Sequence, residues 1–372
     1  KSPKSDLDQP TSLRFFKSDR RDTHLSEAKQ SSVRLENIDV LRGVASLAVC
    51  WFHLTNGYAE GSFAQQSGQY GWLGVEVFFV LSGFIIPFAM FSANYELRTG
   101  WKIFIAKRLL RIDPPYLVSI MLIFALWHLS ALVPGYQGKP PIDIFSIQTF
   151  LHIGYLNGIF GYPWLNDVFW TLAIEFQFYL LISIFYGAVA SRSVNILIAS
   201  HAVMLLGSFA SDSPNYVLKY LALFATGIAV FQYRSGLIGS AMFVLLVGAS
   251  TSVITMVHGG TVAFVTLVTG LSIAYGVNLG RAKPLLMLGA ISSSLYLIHV
   301  PLGGRIVNFG RRYVQTELGE VLLSAIALVL CVISAYVFYI CIERPSQRLA
   351  AKIKYQRNPP KADPQIPLTV AR

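Results

Sequence analysis

Three ionisable residues, Asp39, Arg42 and His53, interrupt an apolar stretch that is long enough to cross a membrane. On an α-helix the step from Arg42 to His53 turns through about 1100°, which is within roughly 20° of three full turns. Asp39 lies about 40° from the same line. Because ionisable groups are costly in hydrocarbon, this stripe is expected to face protein or water. Snorkelling at the ends of a tilted helix would explain Asp39 and Arg42 but not His53, so we expect His53 to be functional.

The next apolar stretch contains a carboxylate, Glu76, followed by Ser82 and Gly83. Counting about 1.5 Å per residue from the ends of the two stretches places Glu76 and His53 at one depth, roughly 6–8 Å below the outer face. A histidine and a carboxylate so placed could serve as a general base and its orienting partner. The alternative for Glu76 is capping or pairing at the interface. Ser82 lies roughly two turns from His53, which disfavours a nucleophilic role, and packing best explains Gly83.

Paired arginines, Arg108 and Arg111, precede an Asp113-Pro114-Pro115 sequence. Residues three apart share a face if the segment is helical. Two guanidiniums at a membrane surface suit bidentate binding of phosphate. The alternative is that they only anchor a cytoplasmic segment by the positive-inside rule.

A later apolar stretch has Thr171, Glu175 and Tyr179 at a spacing of four residues, which predicts one polar stripe on a helix. An intramembrane glutamate is functional by default, and counting residues places Glu175 about 12 Å inside the outer face. His299, in a further apolar stretch, is expected near the level of His53 and Glu76. His299 is equally consistent with a functional residue and with a satisfied packing residue.

These residues require membrane-spanning helices to position them. The chain of 372 residues is 54% hydrophobic and 13% charged, against about 25% charged in an ordinary soluble domain, and its mean hydropathy is +0.53. We therefore predict an all-α, multi-pass integral protein of the cell (inner) membrane with about ten transmembrane helices. The predicted spans are 38–58, 72–92, 115–134, 168–190, 193–210, 216–233, 237–256, 261–279, 284–302 and 320–342.

Most of the 30 Lys and Arg residues fall in the segments that lie inside if both termini are cytoplasmic, which predicts that orientation. The net charge of +11 therefore reflects topology, and we expect no nucleic-acid partner. Residues 1–35 are predicted to be a disordered polar cytoplasmic tail, 36–348 the transmembrane domain and 349–372 a basic cytoplasmic tail. The outer loop 135–167 could re-enter the membrane, form an acceptor platform, or simply be an ordered loop with interfacial aromatics. The three cysteines fall in apolar segments and give no disulfide framework or metal-ligand spacing.

Six motifs in this order resemble those of the acyltransferase-3 family, the polytopic membrane enzymes that O-acylate sugars and related acceptors. They are Arg42 with His53, Gly74–Phe84, Arg108 with Arg111, Trp170–Tyr179, Ser294–Pro301 and Ile342–Pro345. The sequence departs from the usual family pattern at Phe176, where a second acidic residue is common, at Thr171, where serine is common, and at Asp113-Pro114, where an aromatic residue precedes the proline. These departures bear on the acceptor more than on the reaction.

The resemblance implies transfer of an acyl group, with acetyl favoured, from acyl-CoA to a hydroxyl of a carbohydrate or glycolipid. Acetyl-CoA would be a substrate, with no permanently bound cofactor, no metal and no fused second acyl-carrying domain. Combined with the depths above, it assigns catalytic roles to His53, Glu76 and Glu175, and acyl-CoA binding to Arg42, Arg108 and Arg111. The supporting residues are Asp39, Ser82, Trp170, Thr171, Tyr179 and His299.

A proton-coupled transporter of a sugar or lipid-linked glycan is the main alternative, because intramembrane His and Glu residues also form proton relays. Many such transporters contain a pair of matching repeat halves with interrupted helices. The sequence shows no such pair.

Overall fold

The computed structural model describes residues 37–132, 143–277 and 282–354, and this part of the chain consists of helices and their connections, without strands. The predicted all-α class is therefore confirmed. The tail predicted for residues 1–35 lies outside the described residues, as does the end of the predicted C-terminal tail.

The helices follow the predicted apolar stretches closely. They are α1 Asn37–Thr55, α2 Phe63–Gly68, α3 Gly74–Ser92, α4 Leu97–Ala131, α5 Ile147–His152, α6 Phe169–Val189, α7 Val194–Gly207, α8 Leu221–Arg234, α9 Ser240–His258, α10 Gly260–Tyr275, α11 Lys283–Ala290, α12 Ser292–Gly310, α13 Glu317–Phe338 and α14 Arg344–Lys352, with a π-helical turn at Tyr339–Glu343 between the last two.

Six helical stretches of the described chain are long and apolar enough to cross a membrane, or seven if the bent pair α11 and α12 counts as one span. A multi-pass membrane protein is thus supported. Helices α7 and α10 are shorter apolar helices, and the total of ten spans stays a prediction. The predicted span 284–302 is broken in the structure, where α11 and α12 meet at an angle of 71°. The bend brings Gly289 against the Asp39 carbonyl of α1, a contact that leaves no room for a side chain at Gly289.

Helix α4 begins at Leu97 rather than near residue 115, so the predicted inner segment 93–114 is mostly helical. Proline usually breaks a helix because it removes an amide donor and clashes with the preceding turn. Here Pro114 and Pro115 lie inside α4. The sequence rule failed because a partner from outside the helix, the Ser346 hydroxyl, donates to the freed Leu110 carbonyl.

Two glycines allow α3 and α8 to pack backbone to backbone. A Cβ at Gly83 would collide with the Phe224 carbonyl, and a Cβ at Gly227 would collide with the Val80 carbonyl. Beside this crossing, the rings of Phe178 and Phe224 stack with centroids 3.9 Å apart. The packing interpretation of Gly83 is therefore confirmed, in keeping with the use of small residues where membrane helices approach closely.

The described part of the predicted outer loop folds back into the helical bundle. Tyr155, only 4% exposed, stacks on Tyr116 and Phe176 with ring centroids 4.9 and 5.2 Å apart. Its hydroxyl donates to Asp113 Oδ1 of α4 at 2.7 Å. The loop therefore re-enters the bundle between α4 and α6.

Within the same loop, His152 is a satisfied structural histidine. Its Nδ1 lies 2.7 Å from the Gln148 carbonyl, and its Nε2 accepts from the Leu165 amide at 3.1 Å. Burial lowers the pKa of His152, so the ring stays neutral as this pair of hydrogen bonds requires.

Candidate active site

A cavity opens between α1, α3, α4, α6 and α12. All three arginines predicted to bind acyl-CoA line it, together with all three residues of the predicted polar stripe of α6. The charged and hydroxyl-bearing lining residues are Arg42, Ser82, Arg108, Arg111, Thr171, Glu175, Tyr179, Ser292, Ser293, Tyr296 and Glu343. We call it the arginine cavity.

The arginines are held by the cavity walls so that their charges face its interior. Arg42 donates from Nη2 to Ser293 Oγ of α12 at 3.0 Å. The Arg108 guanidinium lies 5.5 Å from the ring centroid of Phe104 and 5.2 Å from that of Tyr179. Stacking on aromatic faces fixes the plane of a guanidinium without consuming its N–H donors. The arrangement can therefore bind an anion with several oxygens.

Glu175 lies in the arginine cavity. Its Oε1 accepts from Ser82 Oγ at 3.0 Å and from Tyr179 OH at 2.5 Å. Counting residues from the span ends grouped Glu175 with His53 instead. The count gave the depth of the residue but not the direction in which α6 turns it, and α6 turns it towards α3.

The histidine predicted on α1 is paired with a second histidine. His299 Nε2 lies 3.3 Å from His53 Nδ1, and the ring centroids are 5.1 Å apart. His299 Nδ1 lies 2.9 Å from the Leu295 carbonyl, and His53 Nδ1 lies 2.9 Å from the Val49 carbonyl. We assign the proton of each ring to Nδ1, because each faces a carbonyl. The single Nδ1–H of His53 is then shared between the Val49 carbonyl and the Nε2 lone pair of His299, which leaves His53 Nε2 as an unprotonated base.

Glu76 is buried, with 6% of its surface exposed, and lies within electrostatic reach of Tyr220 and Tyr296. In the described part of the chain, its Oε2 has no hydrogen-bond partner, and the hydrogen bonds of His53 go to Val49 and His299 instead. The carboxylate within electrostatic reach of His53 is the exposed Asp167, just before α6. The role of Glu76 as the orienting partner of His53 therefore stays a prediction.

Tyr296 stands between the cavity and the histidine pair. It lines the cavity, its ring centroid lies 5.9 Å from that of His299, and its hydroxyl shares a 2.8 Å hydrogen bond with Thr171. Phe78 packs against the same ring at 5.8 Å. The end of the cavity nearest the histidines is thus separated from them by one aromatic side chain, that of Tyr296.

Two of the predicted supporting residues, Trp170 and Asp39, do not line the cavity. Trp170 is absent from the cavity lining and instead packs on Phe79 and Tyr220, at centroid distances of 6.4 and 5.6 Å. Asp39 acts electrostatically on Arg42, as expected for a neighbour on the same helix.

Sequence reasoning missed Glu343 as a site residue, although the motif that contains it was recognised. Glu343 lines the cavity, is 3% exposed and accepts hydrogen bonds from Ser294 Oγ and from Gln347 Nε2, the latter at 2.8 Å. It ends the π-helical turn Tyr339–Glu343. Such turns are frequent at functional sites, but no sequence pattern announces them.

Comparison with known proteins agrees with this geometry. The family model described as an acyltransferase domain (Acyl_transf_3) matches residues 35–340. An O-acetyltransferase named OatA from Staphylococcus aureus is 26% identical over 90% of this chain and 60% of its own length. A putative membrane-bound transacylase, BcsY, from Komagataeibacter xylinus is 28% identical over 84% of this chain and 82% of its own. A peptidoglycan O-acetyltransferase from Listeria monocytogenes is 30% identical over 39% of this chain and 23% of its own.

This chain thus spans only 60% of the length of the Staphylococcus aureus relative. No solved structure matches it. The family model nevertheless covers the histidine pair and every residue that lines the arginine cavity except Glu343. The protein belongs to the acyltransferase-3 family.

Proposed function

We propose that the protein is a membrane O-acyltransferase that moves an acyl group, preferentially acetyl, from cytoplasmic acyl-CoA to a hydroxyl of a cell-surface or exported carbohydrate. The observation that carries the proposal is the continuity from three cavity-lining arginines, past Tyr296, to a paired histidine. The cavity suits the phosphates and arm of the donor, and the histidine pair suits proton transfer. The names of the relatives support acetyl and an envelope carbohydrate.

The donor would bind with its phosphates on Arg42, Arg108 and Arg111, where bidentate contacts to anionic oxygens are favourable. Its thioester would then approach the histidine pair through the Tyr296 end of the cavity. Glu343 and Glu175 would keep this cluster of positive charge ordered when the donor is absent.

For direct transfer, His53 Nε2 takes the proton of the acceptor hydroxyl as its oxygen attacks the thioester carbonyl. The C–S bond breaks, the CoA thiolate leaves, and the imidazolium returns the proton to it. His299 would hold the His53 ring through the transfer. In the alternative, His53 attacks the thioester itself, forming an acyl-imidazole that the acceptor hydroxyl then cleaves.

The topology that this route requires has ten crossings with both termini cytoplasmic. The described helices supply an element at each of the ten predicted stretches, including the short α7, α8 and α10. Single-cysteine labelling at the exposed Arg192 and the half-buried Lys219 would test it: a membrane-impermeant reagent should reach position 219 and not 192 in intact cells. Labelling of position 192 from outside would refute the orientation.

The activity is tested with purified protein in lipid nanodiscs and acetyl-CoA labelled in the acetyl group. We expect slow hydrolysis alone and transfer when envelope carbohydrate is added. His53→Ala should lower both by about 10²–10⁴, the range of a lost general base or nucleophile. An equal melting temperature and elution profile would establish that the variant is folded.

Retained activity in His53→Ala would refute the assignment of the base. Acetyl label trapped on the wild-type protein, and absent from the variant, would select the acyl-imidazole route. No turnover of acetyl-CoA by any preparation would instead favour the transporter.

A further inference from the structure

Three helices of the site, α3, α4 and α12, contain internal prolines, and in α4 and α12 the proline frees a backbone carbonyl at a functional position. In an α-helix the amide of each residue donates to the carbonyl four residues earlier, and proline has no amide hydrogen. Pro114 in α4 therefore frees the Leu110 carbonyl, and Pro301 in α12 frees the Leu297 carbonyl.

A side chain from a distant part of the sequence donates to each of these carbonyls. The Ser346 hydroxyl of α14 donates to the Leu110 carbonyl, with the Arg111 carbonyl, freed by Pro115, 3.4 Å away. Near the other end of the site, Asn166 Nδ2 donates to the Leu297 carbonyl at 3.1 Å. Ser346 and Asn166 are both only 3% exposed.

Both contacts adjoin residues that the site uses. Leu110 lies between Arg108 and Arg111, and Ser346 lies three residues after Glu343, so one hydrogen bond joins the two walls that carry these charges. Lys107 adds a second tie by donating to the Ile353 carbonyl at 3.0 Å.

On α12, Leu297 lines the cavity next to Tyr296 and precedes His299 by two residues. Asn166 also accepts from the Val168 amide at 3.4 Å, which fixes the chain just before α6. The loop is therefore anchored to the helix that carries His299, and Asp167 is held within electrostatic reach of His53.

We propose that Ser346 and Asn166 are positioning residues, and that each acts by donating a hydrogen bond to a carbonyl that a proline has freed. Ser346 sets the arginines against Glu343 at the donor end. Asn166 sets the start of α6 against α12 at the histidine end. The assignment of these ends as donor and transfer sites rests on the proposed function.

The donor end is tested with Ser346→Ala in the wild-type and Pro114→Ala backgrounds. Alanine at position 114 restores an amide that can donate to the Leu110 carbonyl, so the hydroxyl becomes dispensable. We expect Ser346→Ala to raise the KM for acetyl-CoA about 3–10-fold in the wild-type background and less than about 2-fold in the Pro114→Ala background, with kcat and the acceptor KM changed little. Ser346→Thr, which keeps the hydroxyl, should restore the wild-type KM.

The histidine end is tested in the same way with Asn166→Leu in the wild-type and Pro301→Ala backgrounds. Here we expect kcat to fall about 3–10-fold with the KM for acetyl-CoA unchanged, and the loss to shrink in the Pro301→Ala background. The matched control is Ser200→Ala, because Ser200 donates at 2.8 Å to the Leu197 carbonyl of its own helix, away from the site. It should change neither constant.

Thermal unfolding of the same variants tests the hydrogen bonds without a ligand. Non-additive melting temperatures for Ser346→Ala with Pro114→Ala, and for Asn166→Leu with Pro301→Ala, support the docking contacts, and additive ones overturn them. Non-additive melting with unchanged kinetic constants would overturn the positioning role. Protein that melts as expected but neither binds nor turns over acetyl-CoA would refute the proposed function and, with it, both roles.

Discussion

The two ends of the site differ in their access to water and in their charge. At the arginine end, Arg42, Arg108 and Arg111 are half-buried and line an open cavity. At the histidine end, His299 is fully buried, and its ring bonds to a carbonyl and to the other histidine. One end can exchange a hydrated, multiply charged ligand, whereas at the other end the fully buried His299 covers one side of the half-buried His53.

This difference separates binding from chemistry along one helix. Arg42 and His53 both project from α1 and both contact α12, through Ser293 and His299 respectively. Electrostatic interactions strengthen where water is excluded, so a base works best in the drier region and a phosphate site in the wetter one. Changes at the histidine end should therefore lower kcat, and changes at the arginine end should raise the donor KM.

After His53 itself, the largest of these effects should come from His299→Phe. Phenylalanine keeps the volume but removes the Nε2 acceptor that holds the Nδ1–H of His53. We expect kcat to fall about 10–100-fold with the KM for acetyl-CoA within about 2-fold of wild type. Steady-state kinetics over a range of acetyl-CoA concentrations measures both constants. A raised KM with unchanged kcat would show that the two ends are not functionally separate.

The sequence was sufficient to predict the helices and the stripes on them. An apolar stretch of spanning length shows in composition, and a spacing of three, four or eleven residues fixes a helical face. For this reason the α1 stripe, the Arg108–Arg111 pair and the polar face of α6 agree with the structure. Each is a property of one helix alone.

What the sequence could not supply were relations between helices. Depth counting grouped Glu175 with His53 and missed its contact with Ser82. The rotation of α6 against α3 depends on packing between helices, which no single segment of the sequence contains. The long α4 was missed for a similar reason: Pro114 signals a break unless a partner such as Ser346 takes the freed carbonyl. Glu343 could not be assigned to the site from the sequence, because this requires knowing that the π-helical turn ends at the cavity wall.

The next largest effect is expected for Arg111→Ala. Loss of one guanidinium should raise the Kd for acetyl-CoA about 10-fold, and the affinity of the variant should fall less steeply as salt is added, because one fewer charge is screened. Equilibrium binding in nanodiscs at several salt concentrations measures both. Arg192→Ala, at an exposed position between α6 and α7, is the matched control. Equal affinities and salt slopes in Arg111→Ala and wild type would return Arg111 to a topological role.

The two candidate glutamates sharpen the comparison further. Glutamine at position 175 can still accept from Ser82 and Tyr179 through its carbonyl oxygen but loses its charge beside the arginines. We expect Glu175→Gln to change the KM for acetyl-CoA about 3–5-fold and kcat by less. Glu76→Gln should change kcat instead if Glu76 serves His53. If both variants changed the same kinetic constant, the distinction between the two carboxylates would be removed.

The smallest effect is expected at Asp167, whose carboxylate is exposed and acts on His53 only through its charge. Exposed charges are screened, so Asp167→Asn should lower kcat by no more than about 2–3-fold at low salt, and by less at high salt. Measuring kcat at two ionic strengths separates this field effect from a contact. A large loss that persists at high salt would mean that Asp167 touches the reacting groups. In that case the histidine end extends to the start of α6, and the acceptor hydroxyl meets a carboxylate as well as an imidazole.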